Sequence, residues 1–389
     1  MKLIEVTTPG LAKEFIMLPV ELYREEKNWI RPLDKDVEGV FHPDTNKTFR
    51  NGECIRWILQ DDAGKTIGRV AAFINQKTVN KNNDQPTGGM GFFDCINNKE
   101  AAFMLFDACK NWLQDKGIEA MDGPINFGDR DKWWGLLVDG FGIEPNYTCN
   151  YNFPYYQQFF EEYGFKLYFK QLTFARITRD PLSPKLKAKA DKVASDPRYS
   201  FRHMQLKELD KYTDYFREAY NAAWGGHKGV AQLSSLQAKA IMKQLKPLID
   251  EKIMWFGFYD DKPIAIFIML PEVNQIFKYV NGKLDLVGKL KFLYHKWRKS
   301  CNKMIGLVFG VVPEHQGKGV DGAIIEAARV MVQDDYHRYK YLEMNWIGDF
   351  NPKMINVVEQ VGGYVSKTHH TYRMLFDPNK EFVRHPILR

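Results

Sequence analysis

Apolar positions along the chain follow two rhythms. Residues 55–59 and 67–74 carry strand-type apolar runs that flank Asp61-Asp62-Ala63-Gly64-Lys65. Acidic residues and glycine between such runs predict a β-hairpin, because they tolerate the backbone bend. A Gly-rich run at 88–94 leads into a segment where Ala101, Leu105, Ala108, Cys109, Trp112 and Leu113 recur at helical spacing. Asn97 or Asn98 can cap this helix, and Gly117 ends it. A strand at 120–125, an aromatic loop at 133–151, a helix at 154–163 stopped by Gly164, and a strand at 166–174 follow. An amphipathic helix at 11–23, interrupted by Pro19, precedes them all.

The second half repeats this order. Helices at 206–224 and 232–245 come first, then a hairpin, 253–259 and 264–270, around Asp260-Asp261-Lys262-Pro263. A strand at 305–312, a Gly-rich turn and a helix at 320–333 follow. Next come a strand at 341–347, a helix at 352–361 stopped by Gly362-Gly363, and two closing strands, 364–366 and 372–376. The repeat is one of pattern, with little residue identity. A chain of 389 residues exceeds the ~250–300 at which single cores stop growing. The expected division is an N-terminal domain at 1–178, a Pro- and Lys-rich connector with one basic helical piece at 179–196, and a C-terminal domain at 197–389.

With 44% apolar and 26% charged residues the composition is that of a soluble globular protein, and 14% aromatics supply two cores. A net charge of +7 suits an anionic ligand but lacks the dense basic stripe of a nucleic-acid binder, so no nucleic acid is expected. Five scattered cysteines show no metal spacing; free thiols in a reducing compartment, and no metal, are expected. The start, MKLIEVTTPG, has no apolar core, and no apolar run approaches the ~18 residues of a membrane span. A cytoplasmic location is expected.

Chemistry concentrates in Val311-Val312-Pro313-Glu314-His315-Gln316-Gly317-Lys318-Gly319-Val320-Asp321-Gly322. A strand ends, a glycine turn follows, and a helix begins. Unpaired N–H groups at a helix start attract an anion, and glycines let it approach the backbone. This stretch resembles the signature of the GCN5-related N-acetyltransferases (GNAT), Gln/Arg-x-x-Gly-x-Gly/Ala after a strand, through Gln316, Gly317 and Gly319. Strand 343–347, Asn351 opening a helix, and Gly362-Gly363 extend the resemblance over about 140 residues.

The resemblance implies an α+β fold of two tandem acyl-CoA N-acyltransferase (GNAT-like) units. Each would be a central mixed, mostly antiparallel sheet flanked by helices. It implies acetyl-CoA or another acyl-CoA as cosubstrate and a small-molecule or peptide amine as acceptor. The N–H groups of His315, Gln316, Gly317, Lys318, Gly319 and Val320 would hold the pyrophosphate. The backbone of 307–312, with Val311 and Val312, would face the pantetheine, Asn351 would contact it, and an amide of Val311 or Val312 would polarise the thioester. Glu343 is a candidate base and Tyr372 a candidate acid. Two residues depart from the pattern: Asp321 stands where Gly or Ala is usual, and Val358 where the family often has the tyrosine that protonates the thiolate.

Other features keep two readings each. His369-His370 is read as an exposed loop pair rather than a ligand pair. The loop from Trp224 to Gly229 is a lid or a plain connector. Segment 286–303, with Lys289, Lys291, Lys296, Arg298, Lys299 and Lys303 beside Leu286, Leu290, Leu293 and Trp297, is a solvated helix or a peripheral membrane contact. The aromatic, turn-rich stretches 123–129 and 150–156 are a cleft wall or inter-domain packing. A binding or scaffold protein on a degenerate fold stays open beside the enzyme. So does aminoacyl transfer from tRNA, for which no convincing basic groove is seen.

Overall fold

The computed structural model describes residues 1–81, 83–224 and 232–388. Gly225 to Gly229, the expected lid or connector, lies outside the described residues. The first half runs β1 (Lys2–Glu5), α1 (Pro9–Leu22), α2 (Asp34–Val40), β2 (Gly52–Gln60), β3 (Thr66–Asn75), β4 (Thr87–Cys95), α3 (Lys99–Gln114), β5 (Ala120–Gly123), β6 (Leu136–Asp139), α4 (Tyr155–Tyr163) and β7 (Lys166–Ile177). The second half begins with α5 (Pro184–Ala194), β8 (Tyr199–His203), α6 (Leu209–Trp224), α7 (Ser235–Leu245), β9 (Met254–Tyr259), β10 (Lys262–Pro271), α8 (Asn274–Phe277) and α9 (Leu286–Trp297). It ends with β11 (Lys303–Val311), α10 (Val320–Val330), β12 (Tyr341–Gly348), α11 (Pro352–Gln360) and β13 (Tyr364–Leu375).

Among the described residues, thirteen strands make one sheet in the order β1-β2-β3-β4-β5-β13-β7-β12-β11-β10-β9-β8, with β6 also on β13. Each outer arm is antiparallel until its innermost pair, β4–β5 in one half and β11–β12 in the other, which is parallel. At the centre the halves exchange their last strands. β13 pairs with β5, β7 pairs with β12, and the two pair with each other. The expected two closing strands are therefore one. β13 runs through 364–375 with register shifts at Val365/Lys367 and Thr371/Tyr372, which break its local pattern.

Helices cover both faces, as period-two strands with two apolar faces require. In the first half α3 and α4 pack Leu105, Phe106 and Phe160 against one face, and Phe73, Phe127 and Trp133 fill the other beside α1 and α2. In the second half α5 and α10 cover one face through Leu186, Ile324 and Ile325, while α6 and α7 cover the other through Phe216 and Met242. α3 starts at Asn98, whose side chain accepts the Ala101 N–H. α4 and α11 stop at Gly164 (φ +111°) and Gly362 (φ +83°), where the left-handed backbone favours glycine. The connector holds α5, capped by Ser183 with Pro184 in its first turn.

Candidate functional site

β11 and β12 pair only from Lys303↔Tyr341 to Gly306↔Met344. Beyond Gly306 they part, so the β12-facing edge of β11 is unpaired along 307–311. A wedge opens there, and a cavity fills it. Its lining is mainly apolar: Leu307 and Phe309 of β11, Ile325 and Ala328 of α10, Met344 of β12 and Val358 of α11. Arg176, Thr178, Arg329 and Asn345 are its polar members.

At the far end of β11 lies the glycine turn. Gly317 (φ +71°) and Gly319 (φ +94°) adopt the left-handed backbone that β-carbons disfavour. Gly319 is the residue before α10 and offers no side chain to cap it. Among the described residues, the N–H groups of Gly317, Lys318, Gly319, Val320, Asp321 and Gly322 donate to no protein acceptor. The Asp321 carboxylate takes none of them. Gln316, Gly317 and Lys318 are exposed, and nothing lies within 4 Å of a β-carbon placed on Gly317. The cradle is open at Gly317 and Lys318, while Gly319 and Val320 are buried. On the other side α5 closes against it: a β-carbon on Gly319 would stand 2.9 Å from Lys189 Cβ, and one on Gly322 2.8 Å from Leu186 Cδ1. Gln316 turns its side chain back, Nε2 donating to the Val311 carbonyl at 2.8 Å, and so braces the turn.

Other expected site residues are placed less simply. His315 and Gln316 do not join the cradle as expected: their N–H groups donate to the Val312 and Pro313 carbonyls at 3.0 and 3.2 Å, and the His315 ring turns away, its Nδ1 3.0 Å from the Tyr199 hydroxyl and its face on Tyr259. Burial, then Lys318, lowers its pKa, which favours the neutral ring. Val312 donates its N–H to the Ile264 carbonyl at 2.9 Å, so that amide is spent and cannot polarise a thioester. Asn351 caps α11, its Oδ1 accepting from Met354 N–H at 3.2 Å, beside the cavity lined by Met354. Val358 is buried against Phe174 and Ile347 and can donate no proton.

Glu343 sits at the foot of the wedge, on the face opposite α10, buried between two lysines. Lys367 Nζ lies 2.6 Å and Lys303 Nζ 3.4 Å from Glu343 Oε2. Although burial alone would raise it, Lys367 and Lys303 together hold its pKa below the usual carboxylate value. It is therefore a poor proton acceptor and is engaged by two buried lysines, of which Lys367 has its own pKa lowered by burial. Lys303 begins β11 and is buried, so it does not belong to the basic helix face expected at 286–303. Asn345, on the same face, accepts from Asn146 Nδ2 at 2.7 Å and donates to Cys149 Sγ at 3.1 Å. Burial raises the Cys149 thiol to about 12, so it is no thiolate nucleophile. Cys149 lines a second cavity with Tyr23, Asp94, Tyr147 and Asn274. The Asn345–Cys149 contact thus joins the apolar wedge to a polar cavity of the first half. The partners of Glu343 come from β11, β13 and a first-half loop; no local spacing in the sequence could have found them.

Tyr372 is displaced by the strand exchange. It pairs with Gly123, packs on Phe160 in the core of the first half, and donates to Glu161 Oε1 at 3.0 Å. It belongs to that core and not to the glycine turn. His369 and His370 lie on β13, not in an exposed loop. His369 is buried with Nε2 3.0 Å from the Asn150 carbonyl, and burial lowers both rings to about 4. Of the first-half stretches read as a cleft wall, Asn150, Tyr151 and Asn152 line the polar cavity. Among the described residues, no group of three or more His, Cys, Asp or Glu is arranged to hold a metal ion.

No family model matches the chain. The bacterial ceramide synthase of Caulobacter vibrioides (strain NA1000 / CB15N) is 27% identical over 379 residues, 96% of this chain and 97% of that protein. Protein YghO of Escherichia coli (strain K12) is 26% identical over 367 residues, 92% of each. Among solved structures, a tandem GNAT protein from the clavulanic acid biosynthesis pathway superposes with TM-score 0.53 at 10% identity, covering 97% of this chain and 99% of that one. A GCN5-related glucosamine N-acetyltransferase region of a fungal multi-domain GH3 β-N-acetylglucosaminidase gives TM-score 0.53 at 13% identity, over 96% of this chain and 38% of that one. The fold is a tandem GNAT fold, as the glycine-turn resemblance implied.

Proposed function

We propose that the protein transfers an acyl group from acyl-CoA directly to the amine of a long-chain amino alcohol. One observation carries this: unpaired amides at Gly317–Val320 follow directly on strand β11, whose unpaired edge lines an apolar cavity. The amides and the start of α10 suit a diphosphate, with Lys318 and Lys189 of α5 at hand as counter-charges. The unpaired edge of β11 and the side chain of Asn351 suit a pantetheine arm. The apolar cavity beyond favours an acyl chain longer than the acetyl group that the sequence suggested. The acceptor class draws on the similarity to a protein named a ceramide synthase, a ceramide being an N-acylated long-chain amino alcohol.

In the reaction the neutral amine nitrogen attacks the thioester carbonyl and forms the C–N bond. The C–S bond breaks, and the proton lost from nitrogen balances the departing thiolate. The high pKa of Cys149 favours direct attack over an acyl-cysteine intermediate. Val358 supplies no acid, so the thiolate is protonated by another donor or leaves as the anion.

The test incubates the protein with sphinganine and either acetyl-CoA or hexadecanoyl-CoA, and follows thiol release and product mass. The expected result is N-acyl product with the long acyl donor. Gly319→Val, whose side chain would collide with Lys189 and close the turn to the coenzyme, should abolish product formation. CoA binding without product from any of these pairs would favour a binding-only protein on this fold.

A further inference from the structure

Helix α9 carries its apolar face outward. Leu286, Val287, Leu290, Leu293, Tyr294 and Trp297 are all more than half exposed, Leu286 by 74% and Trp297 by 77%. At ~100° per residue they occupy about one third of the helix circumference. The opposite face is fixed to the protein. Gly288 is buried so tightly that a β-carbon there would meet the Lys283 carbonyl at 2.0 Å. Phe292 packs near Phe277, and His295 stacks on Tyr279 with ring centres 3.8 Å apart. Asp285 caps the start through Gly288 N–H at 2.8 Å. An ordered helix anchored by one face thus presents apolar and aromatic side chains to solvent on the other.

Charge says what covers it. From Lys278 to Lys299 the chain has seven basic residues, Lys278, Lys283, Lys289, Lys291, Lys296, Arg298 and Lys299, and one acidic residue, the capping Asp285. On the helical wheel Lys289 and Lys296 flank one edge of the apolar stripe, while Lys291 and Arg298 flank the other. All four are exposed. A second copy of this face would set lysine against lysine. An anionic bilayer instead accepts the stripe among its acyl chains and the ammoniums among its phosphates. Among the described residues no helix is long and apolar enough to cross a membrane.

We infer that α9 seats the protein on an anionic phospholipid surface. The anchor of α9 packs against a wall of the polar cavity: Phe292, Phe277, Tyr147 and Leu33 share one cluster, and Tyr147 and Asn274 line that cavity. Resting on the proposed function, this sets a wall of the polar cavity, which we assign to the acceptor, on the side of the protein that faces the bilayer holding a long-chain amine.

The test is flotation of the full chain with vesicles of phosphatidylcholine alone or with ~30% phosphatidylglycerol. The basic flanks predict binding to the anionic vesicles at least about tenfold stronger, and weakening in 0.5 M salt, as surface electrostatics requires. Leu290→Glu/Trp297→Glu should abolish flotation while leaving the melting temperature unchanged, because both side chains are exposed. It should also keep transfer to an amine supplied in detergent micelles and lose transfer to the same amine in vesicles. Equal flotation of wild type and variant, no flotation of wild type, or a wild-type dimer that the variant breaks would each overturn the inference. Loss of transfer in every format with flotation intact would instead count against the proposed reaction.

Discussion

Single residues at the centre of the sheet carry more than their local sequence suggests. Glu343 has the position of a base but the surroundings of a counter-ion, since two lysines within hydrogen-bonding range stabilise its anion. His369 is buried as a neutral ring with its pKa lowered to about 4, against about 6.5 in an unfolded chain. Between those values the unfolded chain binds the extra proton, so stability falls as pH falls through that window and is fully present above it. About two and a half pH units amount to roughly 3 kcal/mol for this one side chain. Urea titrations at pH 7 and pH 4.5 measure it. The expected outcome is a smaller loss on acidification for His369→Gln, which keeps a donor toward the Asn150 carbonyl. An equal loss in both proteins would show that His369 is not the titrating group.

At the scale of elements, whatever depends on local pattern was legible. The hairpin over 55–74, the capped helix α3, the glycine stops of α4 and α11 and the glycine turn before α10 all announce themselves within a few residues. Four-residue strands such as β1 and β6 are too short to establish a period. The connector at 179–196 reads as a basic linker, yet α5 packs on the glycine turn and puts Lys189 against Gly319. That contact depends on the fold of residues more than a hundred positions away. The same limit hid the fate of Tyr372: its strand was foreseen, its neighbours were not. For the candidate site, the glycine turn at 316–319 and the helix start at Asn351 were legible in the sequence, while the roles expected there came from the resemblance. The ion pairs of Glu343 and the spent amide of Val312 were not legible.

At the scale of the whole molecule, the exchange of β7 and β13 ties the halves into one sheet. The division at 179–196 describes the repeat, but each half lends the other its central strand. Burying a strand's apolar faces against a partner stabilises both, and a half deprived of its borrowed strand exposes β5 or β12 as an open edge. Fragments 1–178 and 179–389 should therefore each lack a cooperative thermal transition when produced alone. They should regain one transition, as a 1:1 complex, when produced together. Cooperative melting of either fragment by itself would contradict the interdependence.

The site belongs to this larger frame, since β12, one wall of the wedge, pairs with β7 of the first half and α5 packs behind the turn. Calorimetric titration of the full chain with CoA tests it most directly. The unpaired amides of Gly317–Val320 predict 1:1 binding for the wild type. They also predict its loss in Gly319→Val, whose side chain would collide with Lys189, with the melting temperature checked to exclude unfolding. Heat of binding absent from the wild type at millimolar CoA, or unchanged in Gly319→Val, would contradict a coenzyme site at this turn.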